Sequence, residues 1–215
     1  MIKRIIIDID GTLITGINFY PVVLRTLQRY GINDVSKAQT FINNIKPYEN
    51  TYGYYAKNEY LSFFSEKLGV HLDDDFLNYF FDELKTAVPP DNRRLYEILA
   101  SLKGYELVLL SNYFEESQRN RLRTMGINDF FTEYHGEKRV KPHIEAYLSA
   151  AGPYKPSECL VIGDDKELDI DIPRQLGFNT LYVNVNGDIK HINDLSLEMI
   201  KRIEKQCDRN EEPAR

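Results

Sequence analysis

Residues 3–13 read KRIIIDIDGTL. Three consecutive isoleucines with no polar alternation mark a strand covered on both faces, as in the middle of a parallel sheet. The run then breaks into Asp8-Ile9-Asp10-Gly11-Thr12. Asp8 and Asp10 are two apart, so both side chains point to one side of an extended chain. Gly11 allows a tight turn, and Thr12 can fix that turn by hydrogen bonding. A buried strand that ends in paired carboxylates fits an α/β sheet, whose ligands gather at the carboxyl ends of its strands.

Working outward, the same apolar signature returns at Glu106–Ser111 (ELVLLS), Cys159–Gly163 (CLVIG) and Thr180–Val185 (TLYVNV), and more weakly at Phe131–Tyr134. Between these strands, helical spacing is predicted over Asn92–Lys103, Glu115–Met125, His143–Ala151 and Leu168–Leu176, with Gly126, Gly152 and Gly177 at C-terminal cap positions. Strand and helix in alternation predict a doubly wound, Rossmann-like parallel α/β core. Nearly a hundred residues separate the first strand from the next, whereas a crossover requires about a dozen. From Pro21 to Val88 only helical patterns occur, at Pro21–Tyr30, Val35–Asn44, Lys57–Leu68 and Asp75–Thr86. The expected division is a core of residues 1–14 and 89–207, an α-helical cap of residues 15–88 inserted after the first strand, and a frayed polar tail over residues 208–215.

The strand ends carry the chemistry. Ser111-Asn112 closes the second strand, Gly163-Asp164-Asp165 the fourth, and Asp169 follows shortly after. Lys141-Pro142 stands just before the helix leading to that fourth strand. Asp8, Asp10, Asp164 and Asp169 gathered at one edge could not all stay ionised without a cation. A hard divalent ion with oxygen ligands, Mg²⁺ above all, resolves the repulsion. Lys141 adds a second positive charge, and Ser111 with its neighbouring amides adds neutral donors. A cation, a lysine and a hydroxyl aimed at one spot suit a phosphoryl group.

The four motifs DIDGTL, LLSN, VKP and GDDKELD, in this order and context, resemble those of the haloacid dehalogenase superfamily, most of whose members are Mg²⁺-dependent phosphatases. The resemblance runs to about Val185, and the helical insert matches the cap placed after the first motif. It implies that Asp8 is the nucleophile and forms an aspartyl-phosphate, and that Asp10 protonates the leaving alcohol and then activates water. It further implies phosphate contacts from Gly11, Thr12, Ser111, Asn112 and Lys141, with Lys141 also balancing Asp8. Mg²⁺ would be bound by Asp8, the Asp10 carbonyl and Asp164, with Asp169 in support behind them. Asp165 stands where many relatives carry a small polar residue and reads as a loop residue. Asp171 and Pro173 depart from the family pattern, which bears on where the following helix starts.

The expected activity is therefore hydrolysis of a small phosphomonoester, a phosphorylated metabolite. A phosphomutase shares all four motifs. A metal-free dehalogenase would leave Asp10 and the acids around Asp164 superfluous, and a non-catalytic binding protein would be expected to lose a charged motif member, which this chain does not. The composition agrees with a globular chain: 215 residues, 42% hydrophobic and 28% charged. A net charge of −6 with scattered basic residues offers no field for nucleic acid. The apolar runs fall far short of the roughly 20 residues that span a bilayer, so neither a membrane nor a secretory role is expected. Two cysteines outside any CxxC motif suit a reducing cytoplasm. His71, His135, His143 and His191 show no metal spacing. In the insert, Tyr48, Tyr52, Tyr54, Tyr55 and Tyr60 crowd together. They read either as cap core with hydroxyls at its wet boundary or as a lid surface touching the leaving group. On the second reading, Tyr52, Tyr54 and Tyr55 are the candidates for substrate selectivity.

Overall fold

The computed structural model describes residues 1–211, with side chains through residue 205. Five parallel strands form one sheet in the order β3-β2-β1-β4-β5: β1 Arg4–Ile7, β2 Glu106–Leu110, β3 Glu133–His135, β4 Cys159–Gly163 and β5 Asn179–Tyr182. The isoleucine-rich run thus takes the central position. Ile7 lies opposite Leu109 on one side and Ile162 on the other. This register delivers Asp8, Ser111 and Asp164 to the same edge of the sheet.

Alternation sorts each strand's side chains onto two faces. Ile5, Ile7, Leu107, Leu109, Leu160 and Ile162 pack on one face with Leu95, Ile98 and Leu99 of α6 (Arg93–Ser101) and Leu122 of α7 (Glu115–Thr124). Ile6, Val108, Leu110 and Val161 pack on the other against Ala146, Tyr147 and Ala150 of α8 (Ile144–Ala151). Both faces are therefore dry, and a parallel sheet requires that. The buried Arg4 ties three strands and α8 together through Glu106, Glu133 and the Ala150 carbonyl.

Between β1 and α6 lie α1 (Tyr20–Arg29), α2 (Ser36–Asn43), α3 (Ile45–Tyr52), α4 (Lys57–Leu68) and α5 (Asp74–Leu84). They enclose their own aromatic core, in which Phe41 stacks on Phe64 at 4.2 Å between ring centres. Phe114 and Val140, from loops at the sheet edge, complete that core. Cap and sheet are therefore joined by an apolar seam rather than by polar contacts alone.

The structure departs from the sequence-based expectations at three segments. Helix α3 was not expected; its Pro47 sits in the first turn, where a missing N–H is harmless. Beyond β5, α10 (Leu197–Glu211) packs Ile200 into the core and continues through the start of the expected polar tail, while residues 212–215 lie outside the described residues. The expected helix at Leu168 begins instead at Lys166, because Asp165 accepts hydrogen bonds from the N–H groups of Glu167 and Leu168 at 2.9 Å each. That segment winds as a π-helix to Asp171 before the short α9 (Ile172–Gln175). Among the described residues, no helix is long and apolar enough to cross a membrane.

Candidate active site

Asp8 leaves β1 with only 7% of its surface exposed, and Asp169 is buried to 1%. With Asp164 at the end of β4 they present carboxylate oxygens that all lie within 4.8 Å of one another. Lys141 reaches between two of them, its Nζ 2.9 Å from Asp8 Oδ1 and 2.6 Å from Asp169 Oδ1. With all three acids ionised, one ammonium would leave a surplus of two negative charges. Burial above all pushes the Asp8 carboxyl up to about 8; Lys141 pulls the other way, and Asp169 and Asp164 add to the rise. Burial alone would lower Lys141, but Asp169 and Asp8 outweigh it and hold the ammonium above its ordinary range. Asp164 is also raised, chiefly by burial and against a hydrogen bond from Thr12. Such a cluster fits one divalent cation with oxygen ligands.

Two glycines make room for it. Gly11 has φ +92°, and a Cβ there would stand 2.1 Å from Asp164 Oδ2. A Cβ on Gly163 would stand 2.2 Å from Asp169 Cγ. Both positions exclude any larger residue while the acids hold these places.

The neighbouring groups are largely occupied with holding the site. Thr12 donates its hydroxyl to Asp164 Oδ1 at 3.0 Å. Asn112 clasps the backbone of Lys141, accepting from its N–H at 2.7 Å and donating to its carbonyl at 3.0 Å. The side chains of Thr12 and Asn112, expected at the phosphate, are thus engaged elsewhere. Ser111 is buried, and its hydroxyl has no protein partner among the described residues, so it is available as a donor. Tyr134, which sequence reasoning did not single out, steadies this edge by donating to the carbonyls of Ser111 and Tyr113.

Asp10 does not join the acidic trio. Its Oδ1 accepts from Arg121 Nη1 at 2.6 Å and its Oδ2 from Gln118 Nε2 at 2.6 Å. Arg121 also donates to Gln118 Oε1 and to the Ala87 carbonyl. Both residues are about 1% exposed, on a helix reading EESQRNRLRT. Nothing in so polar a stretch announces a buried face; the one available signal was the i,i+3 placement of Gln118 and Arg121 beside Ser117 and Leu122.

Beside Asp10, between cap and sheet, lies a cavity of about 150 Å³. The rings of Phe19, Tyr55, Phe80 and Tyr113 form much of its wall, with Val23, Ile45 and Leu84 between them and Asp10, Asn112, Gln118 and Arg121 on the sheet side. Of the tyrosines proposed to select substrate, Tyr55 alone lines this cavity. Tyr52 stacks on Tyr48 at 4.8 Å, and Tyr54 stands edge-on to Tyr52 at 6.2 Å. Tyr48 and Tyr60 are fully buried in the cap core. Tyr55 and Gly53 are hydrogen-bonded through their backbones to Glu137 and Val140, which seats the tyrosine loop on the segment leading to Lys141.

Comparison with known proteins bears on this architecture. No curated protein matches the chain by sequence. Solved structures do match. L-2-haloacid dehalogenase from Xanthobacter autotrophicus, with chloropropionic acid covalently bound, aligns over 94% of this chain and 82% of its own at 20% identity and a TM-score of 0.62. β-Phosphoglucomutase from Clostridium difficile covers 96% of this chain and 98% of its own at 19% identity and a TM-score of 0.61. An aspartate-to-alanine mutant of a HAD family enzyme from Bacteroides thetaiotaomicron, in complex with magnesium and inorganic phosphate, covers 86% of this chain and 96% of its own at 17% identity and a TM-score of 0.60. At such identities the likeness is one of fold, and these relatives differ in reaction. The family model for haloacid dehalogenase-like hydrolases matches residues 2–177, spanning β1 with its paired aspartates, the helical cap, Lys141 and the acidic end of β4, and the chain belongs to that family of hydrolases.

Proposed function

We propose that the protein is a Mg²⁺-dependent phosphatase that hydrolyses a small phosphomonoester through an aspartyl-phosphate on Asp8. The observation that carries this reading is the charge of the site: three converging carboxylates share one lysine. A reaction on an uncharged carbon–halogen bond needs no such surplus, whereas a phosphoryl group handled through a divalent cation does. Asp8, Asp164 and the Asp10 carbonyl would hold the ion, and Asp169 would orient Lys141 beside them. The bound ion would supply charge neutralisation for the phosphoryl oxygens.

The residues of the chain then divide the work. Lys141 donates to Asp8 Oδ1, which aims the carboxylate and leaves its second oxygen to attack phosphorus. The new bond joins that oxygen to phosphorus as the bond to the alcohol oxygen breaks, and Asp10 delivers a proton to the departing alcohol. Asp10 next takes a proton from water, and the resulting hydroxide attacks phosphorus, restoring Asp8 and releasing inorganic phosphate. Ser111 donates to a phosphoryl oxygen through its hydroxyl. For either proton transfer Asp10 must exchange one of its bonds to Arg121 or Gln118 for the reacting oxygen. Splitting the displacement in two lets one aspartate serve as acid and then as base.

The test is release of inorganic phosphate from a panel of phosphomonoesters with Mg²⁺, with chelator, and with the Asp8→Asn variant. Release that needs Mg²⁺ and is abolished in a folded D8N protein is the expected result. Release unaffected by chelator, or retained in D8N, overturns the reading.

A further inference from the structure

We propose that the alcohol released in this reaction is a compact, apolar, ring-bearing group, so that the substrate class is an aryl or arylalkyl phosphomonoester rather than a sugar phosphate or a phosphorylated hydroxy acid. This rests on the phosphatase reading, because it assigns the leaving group of that same site.

Asp10 stands on the cavity wall two residues beyond Asp8, so a leaving oxygen within its reach projects the rest of the alcohol into this space. At about 150 Å³, the cavity has the volume of one that accommodates benzene. Its wall is rich in rings, and the polar side chains on it already have partners. The Tyr55 hydroxyl donates to Glu49 at 2.8 Å, and the hydroxyls of Tyr113 and Tyr60 pair at 3.2 Å. The carboxamide of Asn112 holds Lys141, and that of Gln118 joins Asp10 to Arg121. Arg121 is the one cation on the wall, and Asp10 matches its charge at 2.6 Å.

A sugar entering here would shed water from several hydroxyls and meet, beyond the single donor that Asp10 releases on reaching the leaving oxygen, only groups already bonded, and polar groups desolvated without replacement are costly. A carboxylate would find no unmatched positive charge. A flat apolar ring loses nothing and gains aromatic contact on several sides.

The wild-type enzyme decides the matter through kcat/KM for benzyl phosphate, methyl phosphate and glucose 6-phosphate with Mg²⁺. One methylene in an apolar pocket is worth roughly tenfold or more, so benzyl phosphate should exceed methyl phosphate by at least that factor and glucose 6-phosphate by more. Calorimetry with the uncleaved benzylphosphonate and methylphosphonate should show the same order in affinity. Val23→Phe, which fills the cavity, should shrink the benzyl-to-methyl ratio, and Leu84→Phe provides a second filling variant should the first not fold. Hydrolysis with the benzyl and methyl esters equal, or with the sugar ester preferred, overturns the inference and leaves the phosphatase reading intact. No Mg²⁺-dependent hydrolysis of any ester, together with no phosphonate binding, overturns both.

Discussion

Replacing Arg121 with Met tests whether the Asp10 latch is a structural commitment of this fold. The substitution keeps an apolar stem but removes the 2.6 Å bond to Asp10, the 2.8 Å bond to Gln118 Oε1 and the two bonds to the Ala87 carbonyl. The Arg121 side chain is 2% exposed, whereas that of Asp10 is 34% exposed. Asp10 can therefore recover water when its partner goes, and the cost stays at the lower end of the ~3–5 kcal/mol seen when a buried pair is broken. The buried Ala87 carbonyl has no such recourse, and leaving it unsatisfied costs about 1–3 kcal/mol. These terms overlap, so a net loss of about 3 kcal/mol is expected, which lowers Tm by roughly 6–12 °C in a domain of this size. Thermal unfolding of R121M, Asp10→Asn and the double variant forms a double-mutant cycle, in which a coupling of about 1–3 kcal/mol is expected. Lys57→Ala is the control, since the Lys57–Glu116 pair is 49% and 59% exposed and such pairs contribute less than about 1 kcal/mol. A loss under about 1 kcal/mol in R121M, or strict additivity with D10N, refutes the reasoning.

Other consequences follow from the same geometry. Gly163→Ala places a methyl where Asp169 now stands, 2.2 Å from its Cγ, so it should displace Asp169 from Lys141, lower stability by about 1–3 kcal/mol and weaken Mg²⁺ binding; wild-type values in thermal unfolding and calorimetry would contradict this. Asn112→Ala removes both bonds of the Lys141 clasp and should cost about 1–2 kcal/mol of stability together with activity. A rise in KM with unchanged Tm would show instead that the Asn112 side chain reads the phosphate. Because burial first, then Asp169 and Asp164, raise the Asp8 carboxyl to about 8, a proton competes with the cation below that pH. Mg²⁺ affinity should therefore climb as pH rises toward 8, with proton release on binding; an affinity flat from pH 6 to pH 8, in calorimetry across buffers, would contradict it.

How much of this was written in the sequence depends on the range of each interaction. The central strands could be read because burial on both faces demands an unbroken apolar run, and RIII and CLVIG supply it. The acidic edge could be read because parallel register brings strand ends together, which makes Asp8 and Asp164 neighbours whatever the connecting helices do. The helix cap at Asp165 is just as local, needing only its next three residues, but it was missed because Asp165 reads as a loop residue. The latch was hidden for the opposite reason: Arg121 is buried by a partner 111 positions away, and its i,i+3 placement with Gln118 is too weak a local signal to set it apart from a solvated arginine. The tyrosines were ambiguous on the same ground. Their spacing gathers them in the cap, but only the seating of the Gly53–Tyr55 turn against residues 137–140 brings Tyr55, and not Tyr52 or Tyr54, to the cavity.

The most direct test of covalent catalysis at Asp8 is to mix enzyme, Mg²⁺ and a hydrolysed phosphomonoester, quench in acid within one turnover, and map the phosphoryl group by peptide mass spectrometry. A phosphoryl adduct is expected on the peptide carrying Asp8, absent in D8N and absent with chelator. Steady hydrolysis with no adduct on that peptide, or with an adduct elsewhere, would contradict the mechanism.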